Sequence, residues 1–312
     1  MLIIQERGAT YMNEKFLISL DLDGTLLTSD SKVTEYTEKI LKKTILEGHK
    51  VMICSGRAPR AIEKYYNQLD LDTPIVCYNG AMIYDPKDKN FNDSALKFKK
   101  SEILRFCSEF KDIVPEIMCE NEDTIWANED DEFLFNFYIK DDMNVVIGNI
   151  EEILENDPII FIGRYIDTPE NRKRIIETIE NNSDIKVRFW DTDNYFELYY
   201  EGVSKYNALI SVANYYGIEE RNIYAFGDAD NDIEVMTHCK NGIAMKNASN
   251  FLLNIAKYHT EYTNNEDGVA KYIEKFILKA WFKIKLFLLL FYKNIEVLQR
   301  FLEILLIINI IM

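Results

Sequence analysis

Leu17-Ile18-Ser19-Leu20-Asp21-Leu22-Asp23-Gly24-Thr25-Leu26-Leu27 is the stretch whose reading decides the fold. A short apolar run leads into two carboxylates one residue apart, then Gly and Thr. An apolar run closed by a turn signal predicts a buried strand. Asp21 and Asp23 then stand at its carboxyl end, where open α/β sheets place their ligands. Carboxylates at i and i+2 of a strand point the same way, and their repulsion calls for a cation or a shared proton. Oxygen ligands favour a hard ion, Mg²⁺ first. Gly24 lets the chain turn sharply away. Taken alone, the stretch also fits a solvated turn at a strand end. Segments further along decide between the two.

Downstream, Ser31 or Thr34 can cap a helix over 35–47 that Gly48 stops. Lys50-Val51-Met52-Ile53-Cys54 reads as a second buried strand running into Ser55-Gly56-Arg57. Pro59 opens the next helix, 74–78 reads as a third strand, and Asn79-Gly80 predicts a hairpin into 81–84. Strand–helix–strand–helix–strand is the doubly wound pattern. The polar stretch 85–92, with Pro86, reads as a linker. Beyond it come helices at 101–110 and 168–181 and strands at 124–127, 186–190 and 195–200, the last two joined by a turn at 191–194. None of these strands ends in a carboxylate motif. The first pattern then resumes. Ser204 caps a helix over 205–216, and 222–226 is a strand running into Gly227-Asp228-Ala229-Asp230-Asn231-Asp232. A fifth strand is expected at 242–245, with helices at 248–257 and 268–278. The expected architecture is α/β: a doubly wound, Rossmann-like parallel-sheet core of 12–84 and 196–278, interrupted by an α/β domain at 85–195.

A chain of 312 residues has room for about two such domains. A net charge of −16 leaves no basic face to offset phosphate repulsion, so nucleic acid is excluded as a partner. The five cysteines show no C-x-x-C spacing, which argues against a zinc site and fits reduced thiols in the cytoplasm. His49, His238 and His259 match no motif and are read as structural. No secretory signal is visible in 1–10. Residues 1–11 read as a non-native extension before a natural start at Met12, because Gln5-Glu6-Arg7-Gly8 back-translates to a purine-rich, ribosome-binding-like tract. The apolar extension 279–312 is broken by Lys293, Asn294, Glu296, Gln299, Arg300 and Glu303, which argues against a single membrane span. It reads instead as an oligomerisation helix or as translated sequence beyond an ancestral stop. The oligomeric state is not legible.

Polar groups thus close the predicted strand ends: Asp21 and Asp23, Ser55, and Asp228 with Asn231 and Asp232. In a parallel sheet such ends converge on one crevice, and Lys205, at a helix start, adds a cation. This set resembles the haloacid dehalogenase-like hydrolases, with D-x-D-G-T, a strand-end Ser, Lys and G-D-x-x-N-D in order. The finer pattern looks like the Cof-type subfamily, in Ser55-Gly-Arg, Tyr78-Asn-Gly-Ala, Gly202-Val-Ser-Lys205, Ala244-Met-Lys-Asn-Ala and Asp267-Gly-Val. It covers about residues 15–277.

The resemblance implies a phosphatase of small phosphate monoesters, such as sugar phosphates, that works through an aspartyl phosphate. Asp21 would be the nucleophile and Asp23 the general acid and base. Mg²⁺ would be held by Asp21, the Asp23 carbonyl and Asp228. Ser55 and the Gly56 amide would hold phosphate oxygens, and Lys205 would neutralise their charge. Asn231 would orient phosphate or Lys205, and Asp232 would bind metal-bound water. Arg57 would touch substrate or form a salt bridge, and Asn247 would serve the site or cap a helix. Only about 30 residues separate Thr25 from Ser55, too few for a lid. The lid must come from between Ser55 and Lys205, which looks like the large C2-type α/β cap. A phosphomutase, or a binding protein on a catalytically retired fold, are the alternative readings.

Overall fold

The structure is a computed structural model that describes residues 15–138, 143–180, 184–190 and 194–279. The expectations for 1–11 and Met12, for the apolar extension beyond Lys279, and for 191–193 of the expected turn lie outside the described residues.

In chain order the strands are β1 (Leu17–Leu20), β2 (Lys50–Ile53), β3 (Ile75–Cys77), β4 (Met82–Tyr84), β5 (Ser94–Ala95), β6 (Glu116–Glu120), β7 (Thr124–Ala127), β8 (Asn144–Ile147), β9 (Ile160–Arg164), β10 (Ile185–Phe189), β11 (Tyr195–Tyr200), β12 (Ile223–Gly227), β13 (Asn241–Ala244) and β14 (Tyr258–His259). All four residues of β1 are buried, Ser19 among its three apolar neighbours, as in a strand covered on both faces. β1 lies in the middle of a parallel sheet of order β14-β13-β12-β1-β2. A parallel bridge from Cys54 to Val76 sets β3 beside β2.

The helices between these strands start and stop where local chemistry dictates. Thr34, not Ser31, caps Glu35–Leu46 by accepting from the Thr37 N–H at 3.1 Å. Pro59 occupies the first turn of Pro59–Gln68. Ser204 caps Lys205–Tyr215, and Gly217, at φ 63°, follows its end in the left-handed region.

The second sheet, of order β10-β11-β9-β6-β7-β8, is antiparallel except for the parallel β7–β8 pair. Its side chains alternate faces. Ile117, Cys119, Trp126 and Phe161 pack with Phe106, Phe110, Ile175 and Ile179 from helices Lys100–Phe110 and Pro169–Glu180. Met118, Ile125, Ile160 and Ile162 join the apolar cluster that contains the parallel sheet. The inserted sheet is therefore a cap, with helices on its outer face and the core under its inner one.

β5 pairs antiparallel with β4, so 85–93 is the loop that joins these two strands. β11 pairs with β9 and β10, so 195–200 belongs to the cap sheet. Strands β5, β6, β8, β9 and β14 were not anticipated from the sequence. Among the described residues no helix is long and apolar enough to cross a membrane.

Candidate active site

The site is set by three neighbouring strand ends. Leu20 is in register with Ile53 on one side and Phe226 on the other. Asp21 follows β1, Ser55 lies just beyond β2, and Asp228 follows β12. The sheet extends in opposite directions from β1, so the crevice lies at its switch point. The Asp21 N–H donates to the Phe226 carbonyl at 3.2 Å, which fixes the carboxylate at that edge.

Beyond Asp21 the chain leaves the strand, and here the structure corrects the sequence reading. Leu22–Leu26 winds into one wide turn, closed by the Leu26 N–H on the Asp21 carbonyl (3.2 Å) and the Leu27 N–H on the Leu22 carbonyl (2.8 Å). Gly24 takes φ 68°, and a Cβ there would lie 2.1 Å from Asp228 Oδ2. Because the strand stops at Leu20, Asp21 and Asp23 do not share one environment. Asp21 is buried. The Asp23 side chain is 52 % exposed and takes a two-pronged pair from Arg57, Nε at 2.7 Å and Nη2 at 2.5 Å. Arg57 thus forms the salt bridge, one of its two expected roles.

Lys205 is a helix-start lysine, yet only 1 % of its side chain is exposed. Its Nζ donates to Asp21 Oδ1 at 2.7 Å and to Asp232 Oδ1 at 2.8 Å. The other oxygen of Asp232 accepts from the N–H groups of Asp228 (2.9 Å) and Ala229 (3.3 Å). Thr25 Oγ1 donates to Asp228 Oδ1 at 2.8 Å. Carboxylate oxygens of Asp21, Asp228 and Asp232 lie within 4.8 Å of one another. The converging trio therefore includes Asp232 and not the Asp23 side chain.

Three carboxylates share one ammonium, and the electrostatics follow. Burial pushes Asp21 up to about 8 against the pull of Lys205, and Asp232 and Asp228 add to the rise. Burial likewise raises Asp228 to about 6, while the Thr25 hydroxyl works the other way. Burial pulls the Lys205 ammonium down, but Asp21 and Asp232 outweigh it and hold the amine above the ordinary lysine range. An all-oxygen donor set with surplus negative charge fits a hard divalent cation.

The remaining expected residues lie around this cluster. Ser55 is buried, and its Oγ accepts from the Arg57 N–H at 3.3 Å. Gly56 lies under Asn79, whose Oδ1 would be 3.0 Å from a Cβ at that position. Asn231 Nδ2 donates to Asn79 Oδ1 at 3.0 Å. Asn247 caps no helix. It donates to the Gly24 carbonyl at 2.7 Å and accepts from the Asn264 N–H at 3.0 Å, which ties the 22–26 turn to the 264–266 segment. Ser249 caps the neighbouring helix instead. Sequence reasoning gave no role to Thr25, although it stands inside the D-x-D-G-T signature. It read Asn79 first as a turn residue.

The three histidines stay away from the cluster. His49 stacks on Phe16 with ring centroids 4.7 Å apart, and burial lowers it to about 4. His238 packs beside the Tyr206 ring, and His259 contacts the Leu253 carbonyl.

A family model described as haloacid dehalogenase-like hydrolase matches residues 18–273, most of the chain. The chain belongs to the haloacid dehalogenase-like hydrolases, Cof-type. Curated relatives that it matches over most of its length are named phosphatases, which makes it an enzyme, a phosphoric monoester hydrolase. It is 32 % identical over 269 residues to a Bacillus subtilis protein named 5-amino-6-(5-phospho-D-ribitylamino)uracil phosphatase, covering 84 % of this chain and 97 % of that one. Among solved structures, a haloacid dehalogenase-like hydrolase from Bacteroides thetaiotaomicron superposes with a TM-score of 0.69 at 23 % identity, over 84 % of this chain and 99 % of that one. A subclass IIB sugar phosphatase of the superfamily gives 0.68 at 20 % identity, with coverages of 84 % and 99 %. Both likenesses bear on the fold, a Rossmann-like α/β core with a cap.

Proposed function

We propose that this hydrolase is a Mg²⁺-dependent phosphatase of small phosphate monoesters that works through an aspartyl phosphate on Asp21. The observation that carries this reading is the buried Asp21–Lys205–Asp232 arrangement beside Asp228. The oxygens of Asp21 and Asp228 and the Asp23 carbonyl would hold the ion, with Asp232 behind them. A divalent cation there supplies neutralisation of the phosphate dianion, without which a carboxylate does not approach it.

The chain's own groups account for the rest. Asp21 forms the bond to phosphorus as the bond to the leaving alcohol breaks. Asp23 gives its proton to that oxygen and later takes one from the attacking water. The two-pronged Arg57 pair holds the carboxylate in the resting site and releases it as substrate enters, so that the carboxyl can carry the proton it gives. Ser55 and the Gly56 N–H hold the equatorial oxygens, Asn231 orients the phosphate, and Lys205 balances the charge that spreads in the transition state. The cap excludes water while the transfer occurs. We place it between Leu96 and Tyr200, following strand pairing.

The substrate we propose is a small phosphorylated metabolite of the sugar or sugar-alcohol class, to which the substrate in the Bacillus subtilis relative's name belongs. We place the enzyme in the cytoplasm, where its buried free cysteines stay reduced.

Hydrolysis of p-nitrophenyl phosphate with Mg²⁺ and no added sugar activator tests the reading. Turnover that requires a sugar bisphosphate activator indicates a mutase instead. In the same assay Asp23→Asn should lose on the order of 10²–10⁴ in rate, the span of a lost general acid. Wild-type turnover by that variant contradicts the role. EDTA should stop activity and Mg²⁺ restore it. Because ionised Asp21 and Asp228 repel each other in the metal-free site, the melting-temperature rise on adding Mg²⁺ should be larger at pH 8 than at pH 5. An equal rise at both pH values contradicts ligation by these carboxylates.

A further inference from the structure

Tyr78 and Asn79 are consecutive non-glycine residues in the left-handed region, at φ 50° and 56°. Such a conformation disfavours any side chain with a Cβ, so two in succession persist only where the surroundings hold them. Here they are held from three sides. The Asn79 N–H donates to the Ser55 carbonyl at 3.1 Å and the Tyr78 N–H to the Arg57 carbonyl at 3.2 Å, which fastens the turn to the 55–57 loop. From the cap, Glu120 of β6 accepts from the Tyr78 hydroxyl and from Arg60 through Nη1 (2.8 Å) and Nη2 (2.9 Å). Glu197 of β11 accepts from Asn79 Nδ2 at 3.4 Å and is held by Arg188 at 2.6 Å. On the core side, Asn79 Oδ1 accepts from Asn231 Nδ2 at 3.0 Å. Asn231 Oδ1 is buried and has no hydrogen-bond partner among the described residues.

One amide therefore joins a cap carboxylate to the Gly227–Asp232 segment and lies against Gly56. We propose that Asn79 is a positioning residue through which the seated cap sets Asn231 for phosphate. Glu197 fixes the Asn79 amide, and that amide orders the Asn231 side chain with its Oδ1 left available. When the cap lifts, Glu197 withdraws and Asn231 loses its ordered partner. Binding of the ester and the transfer step are thereby separated, since the assembly is complete only with the cap closed. The inference rests on the phosphatase reading above.

Asn79→Gly is the informative variant, because glycine takes positive φ without strain while the amide is lost. With p-nitrophenyl phosphate and Mg²⁺, kcat should fall by on the order of 10-fold or more with KM little changed, the mark of an interaction made in the transition state. The melting temperature should hold. Glu197→Ala should show the same split. The double variant should be no slower than the slower single one, since both break one chain of contacts. Additive losses, or an unchanged kcat in a folded Asn79→Gly enzyme, overturn the proposal while leaving the phosphatase reading intact. A wild type no faster than Asp21→Asn overturns both.

Discussion

Replacing Asp21 by Asn is expected to abolish phosphate-ester hydrolysis, by on the order of 10⁴-fold or more, because the attacking oxygen is removed and no neighbour replaces it. The fold should survive. An Asn side chain has the same shape, and its oxygen can still accept from Lys205, 2.7 Å from Asp21 Oδ1. Stability should rise at alkaline pH. Burial lifts Asp21 from the ordinary 3.8 to about 8, so between those values the folded chain keeps a proton that the unfolded chain has released. The folded state then binds more protons, and its stability falls as pH rises through that window. A neutral Asn lacks this slope. Melting of the metal-free proteins should show the variant gaining on wild type from pH 5 to pH 8. Parallel curves contradict the electrostatic reading, and measurable turnover contradicts the nucleophile.

Lys205→Met has the second large expected effect. The change removes the ammonium that lies 2.7 and 2.8 Å from two buried carboxylates and leaves both uncompensated. Breaking a buried ion pair in this way costs about 3–5 kcal/mol, and turnover should be lost with it. Without the amine, whose charge pulls the Asp21 value down, Asp21 holds its proton still more tightly in the fold than in the unfolded chain. The destabilisation should therefore shrink as pH falls and grow as it rises. Urea unfolding at pH 5 and pH 7.5 checks both parts. A variant as stable as wild type at both pH values contradicts the role given to this lysine.

What the sequence made legible followed local chemistry. β1, β2 and β12 are short apolar strands buried in one parallel sheet, and each runs into a polar turn, so strand and site were readable together. The role of Lys205 was implied by the resemblance, through Gly202-Val-Ser-Lys205, since a lysine at a helix start is by its type a solvated residue. Other features depend on contacts between distant segments. The direction of Asp23 is set by a strand that stops at Leu20 and by Arg57, which a strand-wide i, i+2 argument does not contain. The Asn79-Gly80 signal gave the hairpin, but its amide meets partners 118 and 152 residues away. β6 and β9 are brief apolar runs that local periodicity does not separate from helix, and only their pairing with each other fixes them as strands.

The most direct measurement is a crystal structure grown with beryllofluoride and magnesium, which together imitate a phosphoryl group on a carboxylate. The account predicts beryllium bonded to a side-chain oxygen of Asp21, with Lys205 Nζ beside the fluorides. Beryllofluoride bonded to Asp23 or Asp228, or lodged without a bond to Asp21, contradicts it.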